Sequence, residues 1–128
     1  MDVLDIVYKA LIADPSIKEQ VENRIKFYEY PETGEVNEPY LVIDPIDVPQ
    51  PKDFADNTWL TYDCFLQIEV WTKNRTTTRL LAEKVQQVMW NALSFAQKGG
   101  ISEYDDGVFR DARRYRGKIY TTDITRSE

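Results

Sequence analysis

Histidine is absent from this 128-residue chain. That removes the commonest general base and the commonest metal ligand together. What remains for chemistry is carboxylates, serines, one thiol and a cluster of bases. Two acidic groups stand out, Asp44, Asp47, Asp53 and Asp56, and then Glu103, Asp105 and Asp106. Paired carboxylates can hydrolyse glycosides or bind a hard cation. Neither group has calcium-loop spacing, and nothing selects a catalytic pair, so plain acidic loops are the simpler reading. Ser94, Ser102 and Ser127 have no histidine partner and no nucleophile-elbow context. Asn74-Arg75-Thr76 matches a glycosylation sequon, which carries little without a secretory signal. No glycine loop is built to cradle phosphate.

The strongest local anomaly is basic. Arg110, Arg113, Arg114, Arg116 and Lys118 interleave with Tyr115 and Tyr120 in a chain of net charge −6. Three readings stay open. Arginine forks can pair with carboxylates across a subunit interface. A charged strand can be a solvated or edge-protecting face. Bases mixed with aromatics can bind single-stranded nucleic acid, although the acidic balance argues against general phosphate affinity. Trp59 and Trp71 fall on the mixed face of a long strand, and Trp90 off the main stripe of a helix. Exposed tryptophans are enriched at interfaces, but these can equally pack under the termini.

These residues need elements to hold them. Thr58 to Lys73 alternates with period two: Leu60, Tyr62, Cys64, Leu66, Ile68 and Val70 on one face, polar and aromatic residues on the other. This predicts a long half-buried strand. Cys64, on the core side, is expected to be a small inert thiol, and a lone cysteine points to a reducing compartment. A helix is predicted over Thr76 to Gln97. Leu81, Val85, Val88, Met89, Ala92 and Ala96 form its stripe, and Lys98-Gly99-Gly100 forms its C-cap. Packing of this helix on the even positions of the long strand is the expected core.

Asp2 to Asp14 predicts an amphipathic helix. Asp14-Pro15 caps a second, shorter one that docks through Ile17 and Val21. Arg24 to Tyr30 and Pro39 to Asp44 predict two short strands that can pair as a hairpin, the second covered on both faces. Prolines at 45, 49 and 51 and acids at Asp47, Asp53 and Asp56 predict an extended loop over Pro45 to Asn57, not a sheet strand. Ile101 to Gly107 reads as an acidic turn. Val108 to Thr122 reads as a last strand, with a break expected at Gly117 and a frayed tail at Arg126 to Glu128. The whole is one α+β domain, with helical segments packed on a mainly antiparallel sheet of about four strands in the order α-β-β-β-α-β. No apolar run reaches the ~20 residues a membrane span needs, and Met1 to Ala13 lacks the basic n-region of a signal peptide.

Taken in order, RIKFYEYPE, PYLVIDP, PQPKDFAD, LQIEVWTK, VMW and FRDARRYRGKIY resemble segments of the small head–tail joining proteins. Those are encoded in long-tailed phages and prophages of Gram-positive bacteria, and are similar in element order to tail completion and tail terminator proteins. The resemblance covers Arg24 to Thr122. It implies a non-enzymatic structural protein without cofactor or metal, found at the head–tail interface of the virion and in the host cytoplasm before assembly. It further implies a hexameric ring on the virion, with the state in solution left open between a monomer and an assembly, contacting the head connector and the tail tube, with DNA only passing through its channel. By the same resemblance, Pro45 to Asn57, including Pro49, Pro51, Asp53 and Phe54, is an arm onto a neighbouring subunit or the connector. Arg110, Arg113, Arg114 and Arg116 would face an interface or the channel.

Overall fold

The computed structural model describes residues 1–123. Ser127 and the tail expected at Arg126 to Glu128 lie outside the described residues.

Two capped helices open the chain. Asp2 accepts the Asp5 N–H at the start of α1 (Val3–Ile12). Asp14 accepts from Ser16 and Ile17 at the start of α2 (Pro15–Val21), where Pro15 needs no donor. Then come β1 (Ile25–Phe27), a 3-10 turn (Thr33–Glu35), β2 (Tyr40–Pro45), β3 (Gln50–Ala55), β4 (Thr58–Thr72), α3 (Arg75–Leu93), β5 (Ala96–Asp105) and β6 (Val108–Tyr120). The six strands form one mixed sheet in the order β1-β2-β4-β6-β5. The outer half of β4 pairs β3 on the same edge where its inner half pairs β2.

The core is the one the alternation predicts. Leu66, Ile68 and Val70 of β4 are buried against Leu81, Val85 and Met89 of α3, joined by Val7 and Leu11 of α1. At about 1.5–3 kcal/mol per fully buried large apolar side chain, this layer dominates the folding free energy. Cys64 is buried in the same cluster. Leu41, Val42 and Ile43 are all fully buried, as expected of a strand covered on both faces. Leu60 departs from the pattern. It is exposed because β4 runs past the end of the helical layer.

Several boundaries differ from expectation. The strand count is six, not four, because two segments without strand-like patterning are strands held by their neighbours. Gln50–Ala55, expected as loop, is β3, paired antiparallel with β4. Its one proline, Pro51, is tolerated because β3 is an edge strand. Asp56 and Asn57, both at positive φ, make the two-residue turn that a right-twisted hairpin favours. The acidic turn expected at Ile101 to Gly107 is mostly β5, and only Asp106-Gly107, again both at positive φ, turns the chain.

Helix α3 stops at Leu93, short of Gln97, because Ser94 takes the left-handed conformation at φ 58°. Phe95 then turns into the core. Ala92 is therefore exposed, and Ala96 lies in β5. Lys98-Gly99 is not a helix cap but a β-bulge, two residues set against Arg114, with Gly99 at φ 95°. Strand β6 runs unbroken through Gly117, where Phe95 packs so closely that an added Cβ would lie 2.1 Å from its ring. Strands β1 and β2 pair in parallel, not as a hairpin. Parallel neighbours need a crossover. Here the chain from Tyr28 to Pro39 supplies it across the sheet face opposite the helices, stacking Tyr30 on Trp71 and bonding Thr33 to Asp106.

Candidate interaction surface

Because successive strand residues alternate faces, β6 divides its basic cluster. Arg110, Arg114, Arg116 and Lys118 project on the face away from the helices. Arg113 falls on the helix side with Tyr115. There Arg113 makes a two-pronged bond to Asp111, at 2.9 and 3.2 Å, and reaches Gln86 and Gln97. The five bases are thus not one site.

The four outward bases form a ladder, and the register fixes their partners. Arg116 meets Asp63 at 2.7 Å and lies 4.3 Å over the Phe65 ring. Lys118 meets Asp53 at 2.9 Å, and Thr61 donates to the same carboxylate. The Thr61 bond, then that of Lys118, holds the Asp53 carboxyl below its ordinary range. Arg110 binds Glu69 and Glu103, the latter at 2.7 Å. Arg114 differs. It donates to the amide oxygen of Gln67 at 3.2 Å and has no carboxylate partner among the described residues.

Glu69 is the centre of the inner end of this face. It is fully buried, flanked by Val42 and Ala112 in the register. Its carboxylate accepts from Arg110, from Gln67 at 2.9 Å and from the Trp71 indole at 3.1 Å. A buried carboxylate needs this full set of donors. The hydrogen bond to Glu69 outweighs burial and drives the Arg110 pKa upward. Trp71 lies beneath both Arg110 and Tyr30. The Tyr30 hydroxyl donates to Asp44 at 2.6 Å, which, with burial, raises its pKa to about 12. Trp71 is therefore part of an internal stack and not a free anchor. Sequence reasoning missed Glu69, although an acid in the middle of a long strand facing a base-rich strand is a readable signal.

The predicted arm is an exposed β-hairpin, β3 paired with the start of β4. Every residue from Gln50 to Leu60 is exposed. Pro49 is half-buried at its root, and Pro51 pairs opposite Tyr62. Asp53 is tied to Lys118, while Phe54 stands 71% exposed, edge-on to Trp59. Val48, Leu60 and Tyr120 add exposed apolar surface at the same end of the sheet. Trp90 is exposed on the far side, on α3.

The remaining chemical candidates do not assemble. Asp44, Asp47 and Asp53 are each held by separate partners, Tyr30, Gln50, and Thr61 with Lys118. Among the described residues no three Cys, Asp or Glu side chains gather to hold a metal ion. Burial, and then Asp63, push the Cys64 thiol up to about 11, so it stays protonated. Asn74 uses its side chain to cap α3. Ser94 is the helix stop and Ser102 lies in edge strand β5. Among the described residues no helix is long and apolar enough to cross a membrane.

The fold has a counterpart among solved structures. A chain in the "Virion of native gene transfer agent (GTA) particle" superposes with a TM-score of 0.66 over 89% of this chain and 91% of that one, at 14% identity. The chain shares the fold of a virion protein. At that identity the likeness speaks to architecture. No family model matches the sequence, and no curated protein matches it either.

Proposed function

We propose that this chain is a non-enzymatic assembly protein of a phage-type particle, one that completes the tail and joins it to the head connector as a ring of copies. The observation that carries this reading is the fold likeness to a virion chain across nearly the whole of both molecules. Two features support it. Most acids and bases of the outer sheet face are paired within the chain, and among the described residues no three Cys, Asp or Glu side chains gather to hold a metal ion. The two hairpin tips, at 56–57 and 106–107, leave opposite ends of the sheet, as the antiparallel β4–β6 register requires, so the subunit presents different surfaces at its two ends. In this reading the ring would sit in the virion after a period in the host cytoplasm, and DNA would only pass through it.

Nucleic-acid binding along β6 is a weaker reading, because Arg110, Arg116 and Lys118 already hold carboxylates that a phosphate chain would have to displace.

The test is deletion of the gene followed by electron microscopy of the particles. Separate heads and tails are expected. Tails of abnormal length on otherwise normal heads would instead assign the chain to capping the tail tube. Joined, infectious particles with normal tails would overturn both.

A further inference from the structure

The bulge at Lys98-Gly99 makes a site. By adding a residue opposite Arg114, it brings Lys98 to the same cavity as Arg114, Gln67, Gly100 and Ile101, a volume of about 260 Å³. Both cations lack a carboxylate among the described residues, while the three other outward bases of β6 each have one. In a protein of net charge −6 this is a position where local positive charge is left uncompensated. Ile101 beside it is 54% exposed. The site therefore asks for an anion with an apolar neighbour.

A single carboxylate fits better than a nucleic acid, since a phosphate chain following β6 would meet Asp63 and Asp53 a few residues on. The β3–β4 tip carries the matching pair. Asp56 is exposed in the turn and takes no cation among the described residues, and Phe54 is the most exposed aromatic beside it. Asp105, at the other tip, lines the cavity beside its own Arg110.

We propose that the Lys98–Arg114 site receives Asp56 from the β3–β4 hairpin of a second copy, with Phe54 covering Ile101. This rests on the reading that copies of the chain assemble, and it assigns the acceptor for the arm. The contact is heterologous, tip of one copy onto sheet face of the next, so it propagates and can close into a ring. It cannot form within one chain. The tip lies at Thr58 and the site at the level of Gln67, about 30 Å apart along β4 at ~3.3 Å per residue.

Charge reversal tests it. Asp56→Lys has a basic tip and a basic site, whereas Lys98→Glu with Arg114→Glu has both acidic. Each alone is expected to lose self-association by at least about tenfold in sedimentation at low salt, the effect of a close charge pair. Mixed, the two variants match at every contact and association returns. Carbodiimide treatment of the wild type is expected to couple Lys98 to Asp56, read by peptide mass spectrometry and lost in Asp56→Asn. All the substituted side chains are exposed, and circular dichroism checks folding. Association unchanged by either reversal would overturn this acceptor and leave the ring reading standing. No restoration on mixing, or a wild type monomeric at every salt concentration, would overturn the second copy as occupant. Single-stranded DNA binding that depends on Lys98 and Arg114 would reassign the site to phosphate. The deletion experiment above judges the virion role independently of all these outcomes.

Discussion

The two faces of the sheet are built on different physics. The helix-covered face is apolar and tolerant of detail. Leu66, Ile68, Val85 and Met89 need only be large, greasy and close-packed. The opposite face is polar, and almost every group on it has a named partner, from Glu69 with three donors to Lys118 on Asp53. A close-packed apolar layer gains free energy in proportion to the area it buries. A polar network gains little net but penalises every mispairing. The first face therefore makes the subunit stable, and the second fixes the register of β2, β4 and β6 and presents a defined charge pattern outward.

The sharpest break of this contrast starts on the apolar side. Leu66→Ala should cost about 3–4 kcal/mol in chemical denaturation, the range for emptying a fully buried leucine site. A loss under 1 kcal/mol would mean that the helical layer does not seat on β4.

On the polar side, Glu69→Ala should cost about 3 kcal/mol, at the low end for breaking a buried pair. Arg110 is 23% exposed and keeps Glu103, which softens the loss. Replacing both Glu69 and Arg110 by leucine should recover most of it, because a packed apolar pair does as well energetically. If the double variant is no better than Glu69→Ala, the network supplies net stability after all and the contrast between the faces fails.

The apolar face was readable and the polar one was not, for a reason that residues make plain. Period-two alternation at Leu66, Ile68 and Val70 and helical spacing at Leu81, Val85 and Met89 are local signals of burial. Capping at Asp2, Asp14 and Asn74 is equally local. The strands β3 and β5 are exposed along nearly their whole length, so burial writes no alternation into them, and they exist because β4 and β6 offer hydrogen bonds. The turn at Asp56-Asn57 lacks the glycine that marks such hairpins. Lys98-Gly99-Gly100 offers glycine equally to a helix cap and a bulge, and Ser94 decides between them. The crossover between the parallel strands β1 and β2 is held by Tyr30 on Trp71, a contact 41 residues apart in numbering that no local pattern announces. Of the residues expected at an interface, Phe54 and Arg114 remain open to a partner. Asp53, Arg110, Arg113, Arg116 and Trp71 are engaged within the chain.

A smaller effect concerns the cap that joins the two first helices. Burial pushes the Asp14 carboxyl up, but the Ile17 and Ser16 amides and Lys84 more than offset it, so its pKa is lowered when folded. A lowered folded value means the stabilisation is present above the unfolded value of 3.8 and is lost as pH falls through the folded one. Asp14→Ala should therefore cost about 1 kcal/mol at neutral pH. The gap to wild type should close progressively in acid below that point. A gap that is constant with pH would remove the charge from the account of this cap.

The smallest expected effect tests how strictly the apolar face excludes polarity. The Tyr115 hydroxyl is buried there with no hydrogen-bond partner among the described residues. Tyr115→Phe should be neutral or stabilise by up to about 1 kcal/mol. A clear loss of stability would show that the hydroxyl has a partner in solution, and that the layer is wetter than its packing implies.

The central claim, that this is a structural subunit of a phage-type particle, is tested most directly by finding the chain in the assembled object. Purified particles from cells that encode it should be imaged to side-chain resolution. The account predicts several symmetry-related copies between head and tail, joined to one another and to their neighbours. Particles complete from head to tail, with no copy of this chain anywhere in them, would contradict it.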